Sequence, residues 1–282
     1  KIADLRVVSR TSVAKYRETD LGIPEIAEEL NVNYLVEGSG QRFGNQVLLN
    51  IQLIEAATDR PIWGEQYSRE VDDVFALQNE VARKIADAIK VVVTPAELKQ
   101  IEKIPTENLE AYDYYLQALN LYYNRTQENL VKAISLFEKA IEEDGQFALA
   151  YANVAIAYYF LDVNQKEKLY TEQINNFSDK ALLYDSRSAE SLIAKALYYI
   201  QIEEYNLALP HLEKALEYNP NSSAVVQMLA DLYARVIPNT AKYLEYALKG
   251  IQLDIAANDS IGKSFIYLHL SNALIQNGFI DE

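Results

Sequence analysis

The sequence contains no cysteine and only two histidines among its 282 residues. Without cysteine the chain forms no disulfide and offers no thiolate nucleophile or thiolate metal ligand. This absence does not separate a cytoplasmic from a periplasmic protein, so the sequence leaves the compartment open. His211 and His269 lie far apart in the sequence, and we therefore expect neither a metal site nor a nucleophile–base pair from them.

Long apolar runs are also missing, because Glu, Lys or Asn interrupts each one before it reaches the roughly 18–20 residues that span a bilayer. Basic residues are few: 26 Lys and Arg stand against 41 Asp and Glu, which gives a formal net charge of −15. Such a chain repels phosphate backbones and anionic lipid, so we expect no nucleic-acid binding and no membrane insertion by this chain. The alternative, that the charge only secures solubility, stays open.

Two short motifs resemble ligand sites and are better explained as structure. Gly38-Ser39-Gly40 lies in a strand-like run and lacks the Gly-Lys-Ser/Thr that completes a phosphate loop. The acidic run Glu142-Glu143-Asp144 lacks the alternating oxygen ligands and the central glycine of a calcium loop. We therefore predict no cofactor, no metal and no catalytic site.

The residues before Pro105 alternate between strand and helix patterns, with strand periods of two and helix periods near 3.6. The predicted elements, in order, are a strand at Leu5–Val8, a helix over Ile23–Leu30, strands Tyr34–Phe43, Gln46–Glu55 and Ile62–Ser68, and a helix over Val71–Val93. Gly44-Asn45 predicts a hairpin turn between two of these strands. The order β-α-β-β-β-α predicts an α+β amino-terminal domain, and the weak strand at Leu5 suggests that a first strand is missing.

After Pro105 the sequence repeats itself at a fixed step. Ala230 and Tyr233 follow Ala196 and Tyr199 by one step, and Ala215 follows Ala181 by the same step. A step of about 34 residues is the period of tetratricopeptide repeats, in which small residues lie where paired helices cross. We predict an all-α tetratricopeptide superhelix over 107–282 with about four and a half repeats, behind a domain over 1–98. We expect both ends to be cuts within a larger protein, since the last repeat stops after its first helix at Gly278.

The first part also resembles a known family. The resemblance is carried by Val8-Ser9-Arg10-Thr11-Ser12, Ile26-Ala27, Val36-Glu37-Gly38, Gln52-Leu53, Ile62-Trp63 and Gln78-Asn79-Glu80. Residues 5 to 95 are similar to the TolB-like (FlgO-related) domain of bacterial signalling proteins, and the segment from Ala111 looks like the repeat that follows it there. The resemblance implies a regulatory half whose effector, a nucleotide cyclase, a winged helix or a kinase, lies upstream.

Projection of the repeat register places ten residues in a peptide groove lined by the first helix of each repeat. They are Tyr112, Tyr115, Tyr122, Ile156, Tyr159, Glu190, Leu197, Gln227, Asp231 and Asn272. Tyrosine is abundant, with 21 copies, and its amphipathic ring suits peptide recognition. The alternative, that these tyrosines fill broad gaps between helices, stays open. Few basic residues fall in the groove, so an apolar or mildly basic segment is the expected ligand.

We therefore expect a non-catalytic protein-interaction and regulatory module of a larger bacterial signalling protein, such as an adenylate or guanylate cyclase or a transcriptional regulator. Its expected partners are a protein or peptide, or a second copy through self-association. The alternative is a cell-envelope structural or assembly factor, by analogy with the TolB and FlgO connection.

Overall fold

The computed structural model of the chain describes residues 2, 4–8, 13–17, 19–70, 74–254 and 260–279. The chain divides into two compact units, one formed by Lys1–Ile104 with Ile251–Tyr267 and the other by Pro105–Gly250 with Leu268–Glu282. The domain boundaries expected from the sequence, 1–98 and 107–282, stay a prediction.

The first unit is built on a three-stranded antiparallel sheet. After a short 3₁₀ helix at Ala14–Tyr16, its elements are α1 (Ile23–Leu30), β1 (Tyr34–Phe43), β2 (Gln46–Glu55), β3 (Arg60–Glu70), α2 (Val74–Ala88) and α3 (Pro95–Ile101). The strand order is β1-β2-β3, so each strand pairs with its neighbour in sequence. Gly44, at φ 61°, forms the two-residue turn between β1 and β2 that the sequence predicts.

One face of this sheet carries Leu53, Trp63 and Tyr67. Leu53 and Tyr67 are buried, Trp63 is half-buried, and α2 packs on β3. Cross-strand pairing puts Trp63 beside Leu53 and Tyr67 beside Leu49, as the period of two requires. Helix α2 ends at Ala88, whereas the sequence predicted that it would extend to Val93. Helix α3 begins separately at a capping box, in which Thr94 and Glu97 form reciprocal hydrogen bonds.

The strand predicted at Leu5–Val8 is wrong. These residues have no regular secondary structure, and Val7 is 73% exposed. A strand needs a neighbour for its backbone groups. Here the Leu5 N–H instead donates to the Ile2 carbonyl in a turn, and the Arg6 guanidinium donates to the carbonyls of Leu30 and Asn31 at the end of α1. Within the described residues the order is therefore α-β-β-β-α-α. Most of the Val8–Ser12 motif lies outside the described residues.

Helical hairpins make up the second unit, and the residues of the last two helices that fall within Ile251–Tyr267 are grouped with the first unit. The first helices of the repeats are α4 (Leu109–Tyr122), α6 (Ala148–Asp162), α8 (Ala189–Gln201), α10 (Ser223–Arg235) and α12 (Ser260–Gln276). The second helices are α5 (Gln127–Glu143), α7 (Thr171–Tyr184), α9 (Tyr205–Tyr218) and α11 (Thr240–Asp254). Consecutive helices pack from α4 through α10, and α6 also packs directly against α8. These are tetratricopeptide-type repeats by their period, their pairing and this contact between successive first helices.

Small residues lie where the helices cross, as the repeat period predicts. Ala181, Ala196, Ala208 and Ala215 are completely buried, and Ala230 is 3% exposed. In the fourth repeat Gly250 takes a place that earlier repeats give to alanine. A Cβ added there would lie 3.8 Å from the Val226 Cγ1, so this crossing is not tight enough to demand glycine.

The terminal helix α12 is fixed to the fourth repeat by polar contacts. The Tyr243 hydroxyl lies 2.9 Å from the Nδ1 of His269, and the Nε2 of the same ring lies 3.3 Å from the Asp231 carboxylate. The Asn277 side chain donates to the Thr240 carbonyl at 2.9 Å. Gly278, at φ 85°, ends the segment in the turn that the sequence predicts.

Candidate peptide-binding groove

The ten residues of the predicted groove all lie on first helices. Tyr112, Tyr115 and Tyr122 belong to α4, Ile156 and Tyr159 to α6, Glu190 and Leu197 to α8, Gln227 and Asp231 to α10, and Asn272 to α12. Their burial separates them into two groups. Whether any of them contacts a ligand stays a prediction.

Four of the ten belong to the packed core. Tyr115, Tyr122, Ile156 and Leu197 are between 2% and 8% exposed. The Tyr115 ring lies 4.9 Å from the Phe147 ring and 5.5 Å from the Phe137 ring, and its hydroxyl accepts a hydrogen bond from the Asn153 amide at 3.3 Å. These side chains therefore hold α4, α5 and α6 together, which is the alternative that the sequence left open for the tyrosines.

The other six residues keep surface that a ligand can reach. Tyr112, Tyr159, Glu190 and Asp231 are half-buried, whereas Gln227 and Asn272 are exposed. The Tyr112 and Tyr115 rings are stacked with their centres 6.2 Å apart, so the buried Tyr115 packs against the accessible Tyr112. We call these six residues the accessible groove.

Burial also changes the acidity of the groove tyrosines. Desolvation raises the pKa of Tyr115 well above its usual range, and the nearby Glu190 charge raises it further. Desolvation raises the pKa of Tyr122 to about 12, although the Arg125 charge opposes the shift. The pKa of Tyr159 is raised by desolvation and by Tyr205. All three are therefore neutral phenols at physiological pH, able to donate one hydrogen bond but not to act as bases.

Some residues near this surface were not found by sequence reasoning. Leu119, Phe160, Ile193 and Ile200 are half-buried on the same first helices and pack against the core cluster. The Arg125 guanidinium lies 4.1 Å from the centre of the Phe160 ring, a cation–π contact at the edge of this apolar surface. Helical spacing of apolar residues on α4, α6 and α8 is the signal that would have included the four apolar residues.

Two buried charged residues in the array are structural. Asp162 is completely buried, and its carboxylate accepts hydrogen bonds from the Leu169 N–H at 3.1 Å, the Tyr170 N–H at 2.7 Å and the Gln201 amide at 3.0 Å. Lys195 is 8% exposed and donates to Asp179 at 2.6 Å and to Asn175 at 2.7 Å. Each charge is thus paired or fully hydrogen-bonded, as burial requires.

The two histidines make contacts in different repeats. His211 lies 2.9 Å from the Leu207 carbonyl within α9, whereas His269 joins α12 to α10 and α11. Within the described residues no group of three or more His, Cys, Asp or Glu side chains is arranged to hold a metal ion. No helix in the described part of the chain is long and apolar enough to cross a membrane.

Comparison with known proteins finds relatives for parts of the chain. No family model matches it. It is 30% identical over 165 residues to the putative adenylate cyclase 3 of Rhizobium meliloti (strain 1021), and the aligned region covers 58% of this chain and 28% of that protein. It is 29% identical over 131 residues to the response regulator aspartate phosphatase H of Bacillus subtilis (strain 168), covering 44% of this chain and 35% of that protein. The chain thus spans about a third or less of the length of these relatives.

Solved structures that resemble part of this chain include MamA and YrrB. MamA is 20% identical with a TM-score of 0.42, over 56% of this chain and 85% of that chain. YrrB, described as a TPR protein with an unusual peptide-binding site, is 19% identical with a TM-score of 0.41, over 62% of this chain and 82% of that chain. At these scores the assignment of repeats rests on this chain's own period and helix packing.

Proposed function

We propose that this chain is a non-catalytic interaction and regulatory module of a larger bacterial signalling protein. In this proposal the helical array binds a protein or peptide segment through the accessible groove, and occupancy of the groove regulates an effector domain elsewhere in the protein. The TolB-like assignment of residues 5 to 95 is part of the same proposal.

The observation that carries the proposal is the side-by-side packing of first helices. Because α6 packs directly on α8, the half-buried Tyr159 of α6 and Glu190 of α8 belong to adjacent first helices, which supports a binding surface that extends over more than one repeat. In this proposal Tyr159 and, from α4, Tyr112 supply aromatic side chains with a polar tip, and Glu190 supplies an acid. Such a surface suits an extended or helical segment with apolar and basic residues.

A nucleotide cyclase is the effector that we propose first. The supporting observation is the 30% identity over 165 residues to a putative adenylate cyclase, in a match that leaves most of that protein outside the aligned region. The upstream reading frame tests this directly. A cyclase, winged-helix or kinase domain encoded before Lys1 supports the signalling proposal, whereas a signal peptide alone would favour the cell-envelope alternative and contradict it.

Activity of the full-length protein tests regulation by the groove. The variant Gln227→Arg with Asn272→Arg places two positive charges in the accessible groove and repels a basic ligand. We expect effector activity to change by about 5-fold or more, the usual size of an allosteric coupling. The matched control is Leu183→Arg, at a residue of α7 that is 76% exposed and lies outside the groove. Equal activity of the wild type, the groove variant and the control would contradict the proposal.

A further inference from the structure

The two edges of the sheet in the first unit differ in how they are protected. On β3, Pro61 removes a backbone donor, and the pairing with β2 shifts register between Leu53 and Ile54. Charged side chains also occupy this strand: both carboxylate oxygens of Glu65 accept from Lys84 at 2.6 Å, and Arg69 lies 3.6 Å from Glu80. Prolines, irregular pairing and charges are the devices that keep a strand edge from pairing with another chain.

The edge formed by β1 has neither a proline nor a register shift, and its charged residues are one acid, Glu37, and one base, Arg42. Its ten residues pair with β2 in one continuous register and contain no proline. Among the described residues β1 pairs with β2 alone, so its outer edge is open. Val36 is 54% exposed and Phe43 is 65% exposed, which leaves apolar side chains beside this edge. A long strand edge with regular pairing is a template for strand addition.

The turn determines which backbone groups of β1 point outward. Phe43 and Gln46 close the two-residue turn and are therefore a hydrogen-bonded pair. Hydrogen-bonded and non-hydrogen-bonded residues alternate along an antiparallel pair. The N–H and C=O groups of Val36, Gly38, Gly40 and Arg42 consequently face away from β2.

We propose that a second copy of this chain pairs its β1 antiparallel to this edge, in a register centred on Ser39. The two three-stranded sheets then continue as one six-stranded sheet. This register brings outward-facing residues together, with Gly38 opposite Gly40 of the second copy and Val36 opposite Arg42 of the second copy. The glycines leave the centre of the contact free of side chains on that face.

The side chains of β1 complement each other in this register. The exposed Phe43 meets Leu35 of the second copy, and Glu37 meets Gln41 of the second copy, so an apolar and a polar pair each form twice. Glu37 already accepts from Gln52 with one carboxylate oxygen at 2.9 Å and has the other free for the Gln41 amide of the second copy.

Charge also favours a second copy at this place. The chain has a net charge of −15, so two copies repel over most of their surface. Within β1, however, Glu37 and Arg42 are the charged residues and their charges cancel. The edge is thus a neutral surface on an acidic molecule, where two copies approach at the least electrostatic cost.

Sedimentation equilibrium over a range of protein concentrations tests the pairing. The chain is expected to rise from 32.0 kDa toward twice that mass as concentration increases. Val36→Lys puts a charge beside the edge and is expected to hold the mass near the monomer value. The matched control is Ile62→Lys on β3, where Ile62 is 36% exposed, and it should dimerise like the wild type. A monomer at all concentrations, or equal behaviour of the two lysine variants, would overturn the proposal.

A cross-link tests the register and does not depend on the folding of the Val36 variant. At the two-fold axis Ser39 faces Ser39 of the second copy as a non-hydrogen-bonded pair, whose Cα atoms lie about 4.5 Å apart. This is within the range for a disulfide, and the chain has no other cysteine. With oxidised glutathione, which takes up the two electrons and two protons of the thiols, Ser39→Cys should give a covalent dimer at least 10-fold faster than Ser68→Cys on β3. Cross-linking at equal rates would overturn the register.

Discussion

At the scale of single residues, the tyrosines of the repeats differ in what surrounds the ring and the hydroxyl. Tyr115 has aromatic neighbours on two sides and an amide donor at its hydroxyl, whereas Tyr159 is half-buried on α6. The same residue type thus serves packing at one position and surface chemistry at another. Substitutions separate these roles because a core residue changes stability and an accessible residue changes binding.

Tyr115→Ala is expected to lower the free energy of unfolding by about 3–5 kcal/mol, the usual cost of removing a buried aromatic ring. Tyr115→Phe keeps the ring and is expected to cost about 1 kcal/mol, because the Asn153 amide still donates to the Leu149 carbonyl at 2.8 Å. Urea denaturation measures both values. Tyr159→Ala is the control at a half-buried position and should cost less than Tyr115→Ala. A loss below about 1 kcal/mol for Tyr115→Ala would show that its ring is not part of the core.

Asp162 gives a second prediction at this scale, because one carboxylate satisfies three buried donors. Asp162→Ala leaves the Leu169 N–H, the Tyr170 N–H and the Gln201 amide without their acceptor, and we expect a loss of about 2–4 kcal/mol. Hydrogen exchange at Leu169 and Tyr170 should accelerate more than exchange within α9. Asp162→Asn retains one side-chain oxygen as an acceptor, so its free energy of unfolding should lie between those of Asp162→Ala and the wild type. Unchanged exchange at the two amides would contradict this role.

At the scale of elements, α2 is joined to β3 by a small charge network. Lys84 donates to both oxygens of Glu65 at 2.6 Å and lies 3.6 Å from Glu80, one turn earlier on the same helix. The Lys84 and Tyr67 hydrogen bonds lower the pKa of Glu65 below its usual value. Because the folded pKa is lowered, the stabilisation is present above the usual Glu pKa and is lost as pH falls through the lowered value.

Lys84→Met is therefore expected to raise the pKa of Glu65 toward its ordinary value. A titration followed by NMR at the Glu65 side-chain carboxyl measures the shift directly. Lys132→Met is the control, since Lys132 pairs with Glu128 on a separate helix at 2.6 Å and does not contact Glu65. An unchanged Glu65 titration in Lys84→Met would mean that the Tyr67 hydroxyl alone, at 2.7 Å, holds the pKa down.

At the scale of the whole molecule, the excess of acid has a thermodynamic consequence. A net charge of −15 destabilises the compact state by self-repulsion, and salt screens this repulsion. Raising NaCl from about 20 to about 200 mM is expected to raise Tm by about 2–4 °C. The variant with Glu142→Lys and Glu167→Lys, two exposed positions, removes four units of negative charge and should show a smaller salt effect. Calorimetry measures both, and a Tm that falls with salt would show that attractive ion pairs outweigh the repulsion.

The sequence by itself determined the parts of this protein that depend on local spacing. The fixed repeat step predicted buried alanines at Ala181, Ala196 and Ala215, and Gly44-Asn45 predicted the turn of the β1–β2 hairpin; all of these are present. Such features follow from period and turn chemistry, which neighbouring residues set without help from distant ones.

Only the tertiary structure decided which residues are reachable. The register placed Tyr115 and Tyr159 alike on first helices, but Phe137 and Phe147 from outside α4 enclose Tyr115. The run Leu5–Val8 has strand composition but pairs with no strand among the described residues, so it is not a strand there. Lys195 is another residue whose burial the sequence does not predict. The matching position one repeat later is the completely buried Leu229. Lys195 is buried as well, because Asn175 and Asp179 on α7 accept hydrogen bonds from its ammonium group. Burial and pairing depend on residues far away in sequence, and no local pattern records them.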